Sequence, residues 1–174
     1  MLENYNKYNL LKIFFDNPNE SFRLRELSRL SKISPPSVIT YLKEFEKQNL
    51  IEKYEKRDIP FYKAQRENKE FKLFKKISII YELDTSGLTD YLYDKITPDS
   101  IILFGSASLG EDIEKSDIDI FIQAENKKLD LKNYEKKLNK KINLFFESKF
   151  SRLNNELKNN IINGIILRGY LKVF

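Results

Sequence analysis

The 174-residue chain contains no cysteine and no histidine. Without thiols it has no disulfide and no cysteine nucleophile. Without imidazole it loses the usual zinc ligand sets and any serine-histidine hydrolase mechanism. Glycine and proline are scarce, at five each, and no internal repeat or low-complexity linker divides the chain. No apolar run approaches the roughly eighteen residues that a membrane-spanning helix requires. The opening residues are polar and lack a signal-peptide pattern, so a cytoplasmic protein without a membrane partner is expected. The chemistry that remains belongs to carboxylates, hydroxyls and lysines. A net charge of +5, from 31 basic and 26 acidic residues, agrees with a partner that carries phosphate, although lysine-rich composition alone produces the same excess. The apolar share of 41% is enough for real cores, and two small domains suit this length better than one.

What is present begins with helical rhythm. Residues 4–16 place Tyr8, Leu11, Ile13 and Phe15 at mostly helical spacing, and Asn17-Pro18-Asn19 stops the run. Leu24, Leu27 and Leu30 repeat with a similar period. Ser34 followed by Pro35 is a helix-start signature. It predicts a third helix over 35–48, with Val38, Leu42 and Phe45 inward and Ser37, Thr40, Tyr41, Lys43 and Lys47 outward. Residues 50–54 and 60–63 read as strands around a charged tip at 55–58. This order resembles the winged helix-turn-helix domains of many prokaryotic transcription factors, over residues 10–65. The resemblance implies that the helix at 35–48 enters the major groove of double-stranded DNA, while Lys56 and Arg57 at the wing tip touch backbone or minor groove. Arg23, Arg25, Arg29, Lys32, Lys43, Lys47, Lys53, Lys56 and Arg57 fall within about 35 residues, a footprint that suits phosphate contact. Glu44 and Glu46 suit the alternative, a winged helix used for protein contact. Paired half-sites match two-fold symmetry, so a homodimer is the expected state.

Residues 67–83 carry Phe71, Phe74, Ile77, Ile80 and Tyr81 on an amphipathic helix that joins the two halves, and Asp84-Thr85-Ser86-Gly87 breaks it. The pattern then predicts helices at 88–96, about 109–113, 131–139 and 151–163, and strands at 101–104, 118–122, 141–146 and 165–167. The fold class is α+β, with a first domain at 1–66, a connecting helix at 67–87 and a second domain at 88–174.

The chemistry concentrates in one block. A strand ending at Phe104 runs into Gly105-Ser106, and after ten further residues comes Asp117-Ile118-Asp119 on an apolar strand. Glycine lets the backbone approach a phosphate, and the free N–H groups of a following helix favour anions. Strand alternation sends Ile118, Ile120 and Ile122 to a core and puts Asp117 and Asp119 together on the opposite face. Two adjacent carboxylates can hold Mg²⁺ against phosphate oxygens. An ordinary β-turn-α unit with surface aspartates is the bland alternative, and it leaves the register of the two aspartates with the turn unexplained.

The block resembles the signature of the minimal nucleotidyltransferases in the DNA polymerase β superfamily, and it includes the Ser116 that often precedes the first aspartate. The resemblance covers residues 88–167 and implies a small mixed sheet with helices packed on one face. Carried onto this chain, it gives Gly105, Ser106 and Ser116 to the nucleotide and Asp117 and Asp119 to the metal. Transfer would run from a nucleoside triphosphate, with ATP the expected donor, to a hydroxyl. The family's third carboxylate, on the next strand, falls on Asn143 among the catalytic positions. An amide is a weaker Mg²⁺ ligand and no base, so a two-metal site would become a one-metal site. Glu147 lies four residues further on, too distant to substitute, which leaves Glu111 and Glu125 as carboxylates that loops could bring in. Leu109 stands where the family often has arginine. A small member of this kind most resembles antitoxins that adenylylate a HEPN-type toxin and, with a DNA-binding domain attached, repress their own operon. The alternative is a transcriptional regulator whose degenerate domain senses a nucleotide or docks a partner.

Overall fold

The computed structural model describes residues 5–174, so the expected helix start at residue 4 lies outside the described residues. The chain divides into two compact units, Met1–Lys75 and Lys76–Phe174.

In the first unit α1 (Asn6–Asp16) is followed by β1 (Ser21–Phe22), α2 (Leu24–Ser31), α3 (Pro35–Lys47), β2 (Ile51–Lys56) and β3 (Ile59–Ala64). Proline at the first turn of α3 costs no hydrogen bond, because that N–H has no helical partner anyway. Lys32 in the left-handed conformation, φ 58°, ends α2. One leucine of α2, Leu27, is buried with Leu10, Phe14, Val38, Leu42 and Phe45 in a single apolar cluster. The three-stranded sheet has the order β1-β3-β2, all antiparallel. β1 is too short to show a period in the sequence, which is why it was not anticipated. The hairpin is tight: Lys56 pairs with Ile59, and Arg57 and Asp58 between them both have positive φ, 54° and 60°. That is the turn whose twist matches two flanking strands.

Helix α4 (Lys69–Thr85) gives Phe71 to the first core and Ile79 and Leu83 to the second. The second unit continues with α5 (Leu88–Ile96), β4 (Ser100–Phe104), α6 (Gly105–Leu109), β5 (Ile118–Ile122), α7 (Lys132–Leu138), β6 (Ile142–Phe146), a 3-10 turn at Phe150–Arg152, α8 (Asn155–Ile162) and β7 (Ile165–Gly169). The sheet order is β6-β5-β4-β7, with β5 and β6 parallel and the other pairs antiparallel. This is the mixed α+β sheet expected.

Three features depart from expectation. Helices cover both faces of the sheet, not one. Ile101, Leu103, Ile118, Ile120 and Ile122 pack with Leu83, Leu88, Leu92 and Leu138, while Ile102, Phe104 and Phe121 on the other face are covered by Phe150 and Ile161. The physical reason is that Phe121 makes the aspartate face of β5 apolar beyond Asp119, and such a face must be buried. The helix expected near 109–113 is α6, which starts at Gly105 because that residue turns the chain at φ 71° and stops where Gly110 takes φ 73°. The helix expected over 151–163 begins only at Asn155, where the Asn154 side chain accepts the Leu157 N–H.

Candidate functional site

Three adjacent strands bring the carboxylates and the glycine turn together. Phe104, the last residue of β4, pairs with Asp119 of β5, and Asp119 pairs with Asn143 of β6. Gly105 follows Phe104 immediately and is so close to the carboxylate that a Cβ there would lie 2.7 Å from Asp119 Oδ2. Only glycine combines this positive φ with that contact. Asp119 is half-buried and Asp117, just before β5, is exposed.

Asn143 joins the two aspartates. Its Nδ2 donates to Asp117 Oδ2 and to Asp119 Oδ1, both at 3.1 Å. The amide orientation follows from chemistry, since ionised carboxylates only accept hydrogen bonds and the NH₂ end must face them. Two like charges that would repel are thereby held side by side by one neutral donor group.

The residues around them have distinct jobs. Ser106 is half-buried in α6, and its carbonyl accepts the Glu111 N–H at 2.9 Å. The Ser116 hydroxyl accepts the Ile113 N–H at 2.9 Å, so it shapes the loop that delivers Asp117. Lys140, just before β6, fastens the same loop: its Nζ lies 2.9 Å from Asp112 Oδ2, with side chains 11% and 3% exposed, and donates to the Ile113 carbonyl at 2.8 Å. Sequence reasoning missed this pair, because Asp112 and Lys140 are far apart and Lys140 sits in a lysine-rich stretch with nothing to mark it. Glu135 on α7 accepts the Ile142 N–H at 3.2 Å and so helps set the start of β6. That bond first, then Lys141, hold its carboxyl below the ordinary glutamate value.

Two of the carboxylates weighed from the sequence bond elsewhere. Glu125 accepts the Ser148 hydroxyl at 2.8 Å, beyond the far end of β5. Glu147 accepts the Lys149 N–H at 2.9 Å. Among the described residues no group of three histidine, cysteine, aspartate or glutamate side chains converges on a metal position. Asp117 and Asp119 are hard oxygen donors of the kind that Mg²⁺ prefers, and they fit one such cation.

Residues 87–171 match the family model described as Polymerase beta, Nucleotidyltransferase. Over that stretch the second unit is similar to nucleotidyltransferase domains. No curated protein matches the chain. Nucleotidyl transfer is the chemistry of this family, and the Gly105, Asp117 and Asp119 cluster lies within the matched stretch. The chain contains no helix, among the described residues, long and apolar enough to cross a membrane.

In the first unit, Thr40, Lys43 and Lys47 are exposed on α3, and Lys56 and Arg57 are exposed at the hairpin tip. Ser37 is half-buried, its hydroxyl 3.0 Å from that of Ser34. Tyr41 differs from expectation: it packs against the core cluster, because its position on α3 borders the buried stripe of Val38, Leu42 and Phe45. Glu44 is paired with Lys7.

Proposed function

We propose that the chain is a DNA-binding protein whose nucleotidyltransferase domain moves a nucleoside monophosphate from a Mg²⁺-bound nucleoside triphosphate, ATP, to a hydroxyl on a partner protein: the hydroxyl oxygen bonds the α-phosphorus, the bond to the β-phosphate breaks, pyrophosphate leaves and the hydroxyl proton passes to water. The observation that carries this reading is the approach of Gly105 to Asp119 across adjacent strands, with Asp117 and Asp119 held on the one Asn143 amide. Asp117 and Asp119 would hold the cation, and Gly105 and Ser106 would border the triphosphate. Bound Mg²⁺ would supply charge neutralisation at phosphate oxygens. The protein residues supply position: Asn143 sets the aspartates, and Lys140 and Ser116 set the loop before them.

A winged helix-turn-helix in the first unit would present α3 to the major groove and the hairpin tip to the phosphates. Exposed Thr40, Lys43, Lys47, Lys56 and Arg57 support this, as does the pairing of Glu44 with Lys7, which removes one repulsive charge from α3. The partner proposed is a HEPN-type toxin, with the chain repressing its own operon as a homodimer in the cytoplasm. That choice rests on resemblance to small antitoxins of this superfamily.

One observation favours a second reading. Asn143 occupies the third strand position as a hydrogen-bond donor to both aspartates, so no carboxylate there can accept a proton from an acceptor hydroxyl. The domain would then bind nucleotide and report its presence without transfer. Incubation with labelled ATP, Mg²⁺ and a candidate partner separates the two. Label on the partner that is lost in Asp117→Ala supports transfer. No label with the wild type, but label with Asn143→Asp, supports the sensor. For DNA, a Lys43, Lys56 and Arg57 triple alanine variant should flatten the salt dependence of duplex affinity by a slope of about 2.7. An unchanged slope counts against contact by these residues.

A further inference from the structure

On the face that carries Asp119 and Asn143, three of the four neighbouring phenylalanines are buried: Phe104 and Phe150 at 5% exposure and Phe121 at 0%. The fourth, Phe145, is 40% exposed. It shares a strand face with Asn143, two residues on, and pairs in register with Phe121. Among the described residues β6 is an edge strand, with β5 as its one neighbour in the sheet. Phe104 meets the Phe145 ring edge to face, with centroids 5.3 Å apart and planes at 73°, an arrangement that fixes ring orientation. A single exposed phenylalanine is unremarkable on a protein surface. This one is braced, lies about 6.6 Å along the strand from the amide between the two aspartates, and is linked through Phe104 to the glycine turn.

We infer that Phe145, held by Phe104, is the platform on which the nucleobase stacks when the phosphates lie at Asp117 and Asp119; this rests on the nucleotide-binding reading above. A phenyl face recognises a planar ring without hydrogen bonds, so it separates nucleoside polyphosphates from bare polyphosphates. It discriminates weakly among bases, because every base has a π-face. Purines, with the larger ring area, gain most.

The test is calorimetric titration of the full chain with Mg²⁺·ATP and, separately, with Mg²⁺·tripolyphosphate. Phe145→Ala should weaken ATP binding by roughly 5- to 150-fold, the range for loss of one base-aromatic stack, and leave tripolyphosphate affinity unchanged. The chain has no tryptophan, so Phe145→Trp adds a lone reporter whose fluorescence ATP should quench and tripolyphosphate should not. This arm decides the matter if the alanine variant does not fold. Equal losses for both ligands, no loss for either, or equal quenching by both overturns the platform. A wild type that binds neither ligand overturns the nucleotide reading and the platform with it.

Discussion

Gly105→Ala tests the site through two separable costs. An L-residue in the left-handed region costs about 1–2 kcal/mol, and Gly105 has φ 71°. Gly87, in the same unit, has φ 81° with nothing within 4 Å of an added Cβ, so Gly87→Ala isolates that backbone term. At Gly105 the new methyl would stand 2.7 Å from Asp119 Oδ2, and the carboxylate must retreat by most of an ångström. Its 3.1 Å bond from Asn143 is then lost or weakened, at about 1–1.5 kcal/mol. Gly105→Ala should therefore exceed Gly87→Ala by about 1–1.5 kcal/mol. In a unit of this size that is about 5–10 °C in Tm by scanning calorimetry. Mg²⁺·ATP affinity should fall in Gly105→Ala and hold in Gly87→Ala. Equal Tm losses and equal affinities in the two variants would refute the idea that Gly105 and Asp119 are locked together.

Other perturbations follow from the same geometry. Asn143→Asp replaces two donated hydrogen bonds by a third negative charge, so without metal it should cost about 1–3 kcal/mol, and Mg²⁺ should raise its Tm more than that of the wild type. An equal metal response would argue against a cation between these strands. Lys140→Met removes the ammonium that lies 2.9 Å from the buried Asp112 carboxylate and should destabilise the second unit by about 3–5 kcal/mol, with most of it recovered in Lys140→Met, Asp112→Leu; a denaturant melt in which the double variant is no better than the single one contradicts this. Asp58→Gly relieves one of two left-handed positions at the hairpin tip and should stabilise the first unit by about 0.5–1 kcal/mol in a thermal melt. Glu135, whose folded pKa is depressed, contributes stability that is present above the ordinary glutamate value and lost as pH falls through the folded one. Carbon-detected titration should place its midpoint below that of a free glutamate, and Glu135→Gln should flatten the acid limb of the Tm profile.

The sequence was most legible where one residue type answers one physical demand. Gly105, Asp117 and Asp119 could be located because a turn with positive φ, and two carboxylates in strand register, leave marks at fixed spacing. Asn143 was legible as a departure from a pattern, but its donation to both aspartates needed the parallel pairing of β5 with β6. The clamp by Lys140 left no mark, since a lysine that buries its ammonium on a distant aspartate looks like any solvated lysine. The cover on the second face of the sheet was missed for a related reason. Phe121 reads as one more apolar residue on a strand, and only the three-dimensional count of both faces shows that it requires α8.

The strand order has a consequence for handling fragments of the molecule. All the polar groups of the site lie between Gly105 and Asn143, which invites trimming the chain soon after β6. Yet Phe150, Ile161 and β7 come later, and they close off Ile102, Phe104 and Phe121. A fragment cut at Phe146 would keep every acidic and amide group while baring a greasy sheet face and an unpaired β4 edge, a template for aggregation. Any working fragment must therefore extend to Leu171, which also packs against that cluster.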